Sequence, residues 1–499
     1  MRLSRLLAEV PGVLTAVDGD PVIQGVTDDS RKVGEGWLFV ARRGQKVDGH
    51  QYIPGVLAAG ASVVVVEEPV GTREGVLAIQ VKDASLALAH LCEAWCEYPT
   101  RELKLVGVTG TNGKTTVTWL IHQLLRKGGI QSGLVGTVGI QTGHLPVIQP
   151  ATMTTPPAPQ LSALLANMVE AKCGTCLMEV SSHALDQRRV DALRFSIGIF
   201  TNLTGDHLDY HHDMATYAAA KARLFELLPS DGTAIVNIEA EASEIMIDAS
   251  GSRNIISYST NPQDDADLVA TIQAEHSDGT EIVLEGLGFH SEAITVPLPG
   301  RHNVQNVLSS VAAVRTLGLS PDQILPLLQG LRAPPGRLEP VDDPANEVKV
   351  FVDYAHTDDA LHQVLTAMRP TVPAGSRLHV LFGCGGDRDT SKRPRMASVA
   401  AASADCVMVT SDNPRTEDPE AIIKDILSGI PDSSHTAVDH YVERGLAIRE
   451  AVSVMAPGDV LIVAGKGHED YQILGENRIP FDDRNHVAEA LRLRDKERR

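Results

Sequence analysis

The sequence predicts an α/β protein of three domains, and three observations carry that expectation. At 499 residues the chain is several times the usual domain length of roughly 150 residues. Short apolar runs alternate with helical segments along most of the chain, the pattern of parallel, helix-covered sheets. Two proline-containing breaks, Tyr98-Pro99-Thr100 and Ala333-Pro334-Pro335-Gly336-Arg337, divide that alternation into expected domains of 1–100, 101–332 and 333–499.

Composition narrows the partners. Hydrophobic residues at 43% against 22% charged are ordinary for a globular chain. A formal net charge of −20, with no basic run, disfavours a nucleic-acid backbone. Glu9 and Pro11 interrupt any apolar core of a signal peptide, and the longest apolar runs, such as Val63 to Val66, are strand-length. A cytoplasmic protein with no membrane partner is expected. Six cysteines in so long a chain make no disulfide framework. Cys173 and Cys176 form a C-x-x-C and Cys92 and Cys96 a C-x-x-x-C, but Cys176 opens an apolar strand and the second pair sits at helical spacing. Core thiols are favoured over a zinc site.

In the first domain, residues 22–26 and 36–41 read as strands, 51–59 as a helix, 62–67 as a strand and 84–95 as a helix. Asp28-Asp29-Ser30-Arg31 reads as a turn capped by an Asp or Ser side chain.

The centre is organised around residues 103–116. An apolar run, 103–108, reads as a buried strand, followed by T-G-T-N-G-K-T-T and a segment that can be helical from Lys114. Strand, glycine-rich turn and helix start make an anion cradle. Glycines let backbone N–H groups close on phosphate, and the helix N-terminus adds positive partial charge. Lys114 can reach outer phosphates and the Thr115 hydroxyl can sit on Mg²⁺. Val108 stands where the full G-x-x-x-x-G-K-[ST] pattern has its first glycine, so an ordinary strand-to-helix turn is the competing reading. The intact strand before the turn favours nucleotide binding.

Helix 160–172 carries Leu161, Leu164, Leu165, Met168 and Val169 at helical spacing and leads to strand 175–180. That strand ends at Glu179, ahead of Ser181-Ser182-His183. A carboxylate there faces the sheet edge where ligands bind, which makes Glu179 a candidate Mg²⁺ ligand. Strand 195–201 delivers an Asp/His-rich stretch, 202–212, that could hold a metal or cap the next helix, with His207 the favoured ligand. By pattern alone Lys221 is a surface lysine on a helix. Asn303 stands at the start of a helix whose stripe is Val304, Val307, Leu308, Val311 and Val314; it could be a cap or an adenine contact, and the sequence alone favours the cap.

In the last domain four strands, 348–352, 378–382, 406–410 and 460–464, each end in a charged or glycine-rich loop. Polar chemistry therefore gathers on one sheet edge. Gly385-Gly386-Asp387 lacks the G-x-G-x-x-G spacing of a dinucleotide site, and neither a Ser/His/Asp hydrolase signature nor H-E-x-x-H occurs.

T-G-T-N-G-K-T-T, M-E-V-S-S-H, T-N-L-T-G-D-H-L-D-Y-H, H-N-V-Q-N, D-Y-A-H-T, G-C-G-G-D-R-D, D-N-P-R and G-K-G-H-E-D-Y-Q stand in the order found in Mur ligases. The sequence resembles that family over nearly its whole length, in particular the members that add the third residue of the peptidoglycan stem peptide. The resemblance implies a small N-terminal α/β domain for a UDP moiety, a central P-loop ATPase with a mostly parallel sheet, and a Rossmann-like C-terminal domain for the incoming amino acid. It also implies a reaction. ATP would phosphorylate the D-glutamate γ-carboxylate of UDP-N-acetylmuramoyl-L-alanyl-D-glutamate, and the amine of meso-2,6-diaminopimelate would attack the acyl phosphate.

Carried over by position, Gly110, Thr111, Asn112, Gly113, Lys114, Thr115 and Thr116 would cradle ATP, joined by Asn303, Arg337, Asp353 and His356. Thr115, Glu179 and His207 would hold Mg²⁺, and Lys221 would be carbamylated so that it can ligate a second ion. Lys114, Lys221 and His207 would be catalytic. Ser30, Gln45, Lys46, Val47, Thr154, Thr155, Ser181, Gln187 and Arg189 would bind the UDP-linked substrate. Arg388, Asp412, Asn413, Pro414, Arg415, Gly465 and Glu469 would bind the amino acid. Diaminopimelate carries a second carboxylate that Arg415 can grip bidentately; facing lysine, that arginine would be buried and unpaired. A monomer acting on small molecules is expected. A lysine-adding ligase differs at Arg415 alone, and a folylpolyglutamate synthetase is disfavoured by the full N-terminal domain, D-N-P-R and G-K-G-H-E. A nucleotide-dependent switch would turn over ATP without any amine.

Overall fold

The computed structural model describes residues 1–499 except 16–17, 45–46, 72–74, 144–148, 150, 152, 206–207, 252–253, 432 and 499, and except the side chains of 208, 209, 497 and 498. The chain packs as two compact units, Met1–Ser257 and Tyr258–Arg499.

The first unit opens with four parallel strands in chain order, Val26–Thr27, Leu38–Val40, Val63–Val66 and Leu77–Gln80. Their side chains alternate between two covered faces. Val63 and Val65 pack with Leu3, Leu6, Leu88 and Leu91 of helices Leu3–Leu7 and Ala84–Trp95, while Val64 and Val66 pack with Ile53 and Val56 of helix Ile53–Ala58. The expected strand at 22–26 contracts to Val26–Thr27, and the expected helix at 51–59 is a 3₁₀ turn, Gly49–Tyr52, before Ile53–Ala58. Leu77–Gln80 escapes the pattern because only Ile79 among its four residues is fully buried. At the Tyr98-Pro99-Thr100 break the chain turns through a left-handed Tyr98, and Thr100 is buried against the Glu93 carboxylate.

The larger sheet of this unit is centred on Lys104–Thr109. It pairs in parallel with Thr175–Glu179 on one side and Phe195–Phe200 on the other. Ser132–Gly136 and Thr233–Asn237 extend it in parallel, and Gly139–Gln141 adds an antiparallel edge. Three strands therefore end side by side at Thr109, Glu179 and Phe200, which brings their loops together. All six cysteines are free thiols. Cys173 and Cys176 lie in the core beneath this sheet, where burial pushes the Cys176 thiol well up.

The second unit begins with an antiparallel meander that the sequence reading lacks: Leu268–His276, Gly279–Gly286, Phe289–His290 and Ile294–Val296. Helix Arg301–Thr316 follows. The six-stranded sheet then runs Glu339–Val341, Lys349–Asp353, Val460–Ala464, Leu378–Phe382, Cys406–Thr410, Ala437–Tyr441, parallel but for its first strand. All four expected strands form within one residue of their expected bounds. Ala437–Tyr441 has no apolar face to reveal it; its residues are largely exposed. No helix among the described residues is long and apolar enough to cross a membrane.

Candidate active site

The phosphate loop is held from below by the strand beside it. Thr111 N donates to the Asn202 carbonyl and Asn112 N to Asn202 Oδ1, each at 2.9 Å, while Thr201 Oγ1 donates to the Asn112 carbonyl at 2.6 Å. Gly110 sits at φ +150°, and a Cβ there would lie 1.9 Å from Thr201 Oγ1, so only glycine lets the loop approach this closely. Helix Lys114–Lys127 starts directly after the loop. Lys114 Nζ donates to the carbonyls of Gly110 and Thr111, both at 2.8 Å, which holds its ammonium over the turn.

Glu179 is buried at the end of its strand. Its carboxylate accepts from Thr115 Oγ1 at 3.0 Å, from Thr137 N at 2.7 Å and from Thr137 Oγ1 at 3.1 Å. A carboxylate and a hydroxyl that meet beside a phosphate loop are hard oxygen donors of the kind Mg²⁺ prefers. His207, the third expected ligand, lies outside the described residues, as do Gln45 and Lys46. Among the described residues no group of three or more His, Cys, Asp or Glu could hold a metal.

The surface reading of Lys221 is overturned. Its side chain is 1% exposed and Nζ donates to the Gly110 carbonyl at 2.8 Å while lying over the Tyr217 ring. Tyr217, Leu224 and Phe225, four before, three after and four after Lys221, share its buried face, so the helical spacing held the signal; the flanking alanines and the charge of the lysine itself hid it. Asn303 is not the helix cap either. Gly300 holds that position, and Asn303, inside the first turn, donates from Nδ2 to the Pro299 carbonyl at 2.8 Å.

Five of the expected substrate positions, Thr154, Thr155, Ser181, Gln187 and Arg189, are linked to the same strand end. Thr155 Oγ1 donates to the Glu179 carbonyl at 2.9 Å and accepts from Ser181 N at 3.0 Å. Arg189 Nη1 donates to the Thr155 carbonyl at 2.9 Å, and its Nη2 to Gln187 Oε1 at 2.7 Å. Thr154 Oγ1 lies 3.1 Å from Thr137 Oγ1, which itself bonds Glu179. Thr137 is thus a site residue that sequence reasoning missed; a lone threonine in a turn carries no signal. Ser30 stands in the turn after Val26–Thr27 and Val47 is exposed, and among the described residues neither makes a side-chain hydrogen bond to this group.

The second unit gathers its loops at the carboxyl edge of its sheet. Asp353 accepts from Leu338 N and Ala355 N, both at 2.7 Å; burial pushes its carboxyl up, opposed by the Arg337 cation. Arg337 stacks on Tyr354, whose ring also meets His356 and His468. Gly336, at φ +68°, lies so close to the Gly467–His468 backbone that a Cβ would come within 2.0 Å of His468 N. Gly465 N donates to the Asp353 carbonyl at 3.0 Å.

Asn413 is the hub of the other cluster. Its Nδ2 donates to Glu469 Oε2 at 3.0 Å, and its Oδ1 accepts from Ile473 N at 2.9 Å and Lys466 Nζ at 3.2 Å. Lys466, fully buried, also reaches Glu469 at 3.2 Å and Asp412 at 3.8 Å. It was absent from the expected pocket, although G-K-G-H-E contains it. Arg415, half-buried and with φ +52°, donates from Nη1 to the Gly386 carbonyl at 2.8 Å and the Asn413 carbonyl at 3.4 Å. The expected arginine left unpaired without a carboxylate is therefore not what the structure shows: two carbonyls already accept from it. Pro414 continues the same loop, its carbonyl accepting from Glu417 N at 3.1 Å, and Arg388 is exposed. Beneath the cluster a fully buried pair, Arg444 with Asp483, makes two bonds at 2.7 and 2.8 Å. Arg444 also donates to the carbonyls of Ser411 and Ala464, next to Asp412 and Gly465.

Comparisons with known proteins agree in one direction. Three family models match: "Mur ligase family, catalytic domain" over residues 22–96, "Mur ligase middle domain" over 108–314, and "Mur ligase, glutamate ligase domain" over 336–467. The UDP-N-acetylmuramoyl-L-alanyl-D-glutamate–2,6-diaminopimelate ligase of Trichormus variabilis is 44% identical over 507 residues, 99% of this chain and 100% of its own. That of Gloeobacter violaceus is 44% identical over 498 residues, 99% of each chain. A solved structure of a ligase of the same name is 31% identical, with a TM-score of 0.72 over 100% of this chain and 99% of its own. The folylpolyglutamate synthase of Mycobacterium tuberculosis, at 19% identity and a TM-score of 0.60, shares the fold over 75% of this chain and 91% of its own.

Proposed function

Because the chain belongs to the Mur ligase family, we propose that it is the ATP-dependent ligase joining meso-2,6-diaminopimelate to the D-glutamate of UDP-N-acetylmuramoyl-L-alanyl-D-glutamate, a step in making peptidoglycan precursor. The observation that carries the reading is the double use of Glu179. Its side chain accepts from Thr115 of the phosphate loop and its carbonyl from Thr155 of the substrate cluster. That one strand end links the phosphate loop to the residues read as binding the UDP-linked substrate supports transfer from ATP to a substrate carboxylate, which needs the two side by side.

A carboxylate is a poor acyl donor because its oxygen leaves badly. The γ-carboxylate oxygen bonds to the terminal phosphorus of ATP and ADP departs, which turns that oxygen into a good leaving group. The free amine of diaminopimelate then bonds to the carbonyl carbon; phosphate leaves with the electrons of the C–O bond, and the nitrogen gives up a proton. Lys114 and the loop N–H groups neutralise phosphate charge. Thr115, Glu179 and His207 would hold Mg²⁺, which when bound spreads the negative charge of the phosphoryl group. Lys221 is assigned as a carbamate, an anion where the bare ammonium would repel a metal ion. Gln187, Arg189, Ser181, Thr154 and Thr155 orient the UDP-linked substrate. Arg337, Asp353, His356 and Asn303 serve the nucleotide. Arg415 grips the distal carboxylate of diaminopimelate, with Asn413, Asp412, Lys466 and Glu469 setting the floor of that pocket. The domain boundaries near 100 and 332 follow this division of labour, and ATP and a nucleotide-linked sugar as substrates suit a cytoplasmic enzyme.

Phosphate release from ATP tests the reading, with the UDP-linked dipeptide present and meso-diaminopimelate, L-lysine or no amine added. Release with diaminopimelate alone is expected. Release with lysine would keep the ligase and overturn the role of Arg415. Equal release with no amine would favour a nucleotide switch.

A further inference from the structure

A cavity of about 200 Å³ in the first unit is lined by two arginines, Arg42 and Arg189, together with Gln187 and apolar side chains including Leu88, Met153 and Pro157. Among the described residues the hydrogen-bond partners of Arg189 are all neutral: Gln187 Oε1, the Thr155 carbonyl and the Met153 sulfur. Arg42 follows the strand Leu38–Val40, and Asp28 follows its parallel neighbour Val26–Thr27, so both stand at the carboxyl edge of the small sheet. Asp28 Oδ2 accepts from Arg42 Nε at 3.1 Å and from Nη2, which fixes the guanidinium in orientation. Two guanidinium groups and one carboxylate leave net positive charge in a small space with partly apolar walls. Burial first and then the charge of Arg42 lower the affinity of Arg189 for its proton. Like charges brought together in a cleft are relieved by a bound anion, and a low-dielectric wall strengthens that attraction.

We propose that Arg42 is a second arm of the substrate site, which with Arg189 holds an anionic oxygen group of the UDP-linked substrate. The group is a carboxylate of the peptide or a phosphate of the diphosphate. The proposal rests on the reading of Arg189 and Gln187 as substrate residues. Asp28 acts here as a positioning residue that aims Arg42, much as a carboxylate orients a ligating side chain in a preformed site.

Titration calorimetry of the full chain with UDP-N-acetylmuramoyl-L-alanyl-D-glutamate tests it, comparing wild type, Arg42→Leu and Arg42→Gln. The glutamine keeps a donor for Asp28, so it separates charge from folding. At least tenfold weaker binding is expected in both variants, with a shallower dependence of affinity on salt and an unchanged affinity for ATP. An analogue whose D-glutamate α-carboxylate is amidated identifies the source. If Arg42→Gln no longer weakens binding of that analogue, the carboxylate is the partner; an undiminished loss points to the diphosphate. A folded Arg42→Gln protein that binds the substrate within threefold of wild type overturns the role of Arg42. Wild type that fails to bind the substrate sinks the functional reading instead.

Discussion

Replacing Lys221 with alanine should abolish ligation while leaving the fold intact. Lys114 and Lys221 both donate to the Gly110 carbonyl at 2.8 Å, so the two ammonium groups are no more than two hydrogen-bond lengths apart. At about 5 Å and an effective dielectric of about 20, two unit cations repel by about 3 kcal/mol. Alanine relieves that repulsion and gives up a charged hydrogen bond worth about 1.5–3 kcal/mol. The two changes offset, and global stability should move by no more than about 2 kcal/mol. The proposed carbamylation would change the sign of the interaction: the lysine nitrogen bonds the carbon of CO₂, a proton leaves, and repulsion becomes an attraction of similar size. Loss of the group would then remove a favourable charge from the phosphate loop, and turnover should fall about 100- to 1,000-fold, the scale seen when one preorganised electrostatic partner is deleted. Phosphate release at saturating substrates, with chemical denaturation as the fold check, measures both. Added bicarbonate should raise the rate of CO₂-depleted wild type and leave the variant silent. Turnover of Lys221→Ala within tenfold of wild type, or a collapse of its unfolding transition, would refute the reasoning.

Arg415→Leu should lower kcat/KM for diaminopimelate about 100-fold, the equivalent of one lost bidentate pair, and leave the slow rate with lysine unchanged; competition assays with the two amines decide it. His122 lies buried in the phosphate-loop helix with Nδ1 on Ser132 Oγ, and burial, aided by the Arg126 charge, lowers its pKa to about 4. The unfolded chain takes up this proton near pH 6.5 and the folded chain only near 4, so stability should fall between those values by up to about 3 kcal/mol. His122→Gln should flatten that acid limb in denaturation titrations. Gly336→Ala should lower stability by about 3 kcal/mol or more, because its Cβ would meet the His468 backbone in a left-handed conformation; an unchanged denaturation midpoint would show that the loop yields.

The legible parts of this chain were those in which one residue type is forced by local physics. The strand before the phosphate loop, Gly110 and Lys114 stand in a run that few other purposes require, and Glu179 ends an apolar strand where a buried carboxylate needs a reason. The four strands of the second unit were legible because both faces are covered, which leaves continuous apolar runs. What stayed hidden lacked such a signature. Lys221 is a charge flanked by alanines on its helix, Thr137 acts through a turn, and the meander from Leu268 to Val296 has strands that are only half covered. Arg42 carries no signal of its own in the sequence; its setting comes from Asp28 and Arg189, fourteen residues before it and far along the chain.

The Arg444–Asp483 pair has a consequence for how this sequence can change over time. Both side chains are wholly shielded, and the guanidinium also clasps the ends of two strands. Removing either partner strands a charge in the interior, at a penalty of about 3–5 kcal/mol that few proteins can absorb. Exchanging both for apolar residues of matching volume is nearly neutral for folding, yet it releases the carbonyls of Ser411 and Ala464 from their common donor. Descendants of this chain should therefore keep both residues or lose both, and lineages that lose both should also have rebuilt the D-N-P-R and G-K-G-H loops that the clasp holds in line.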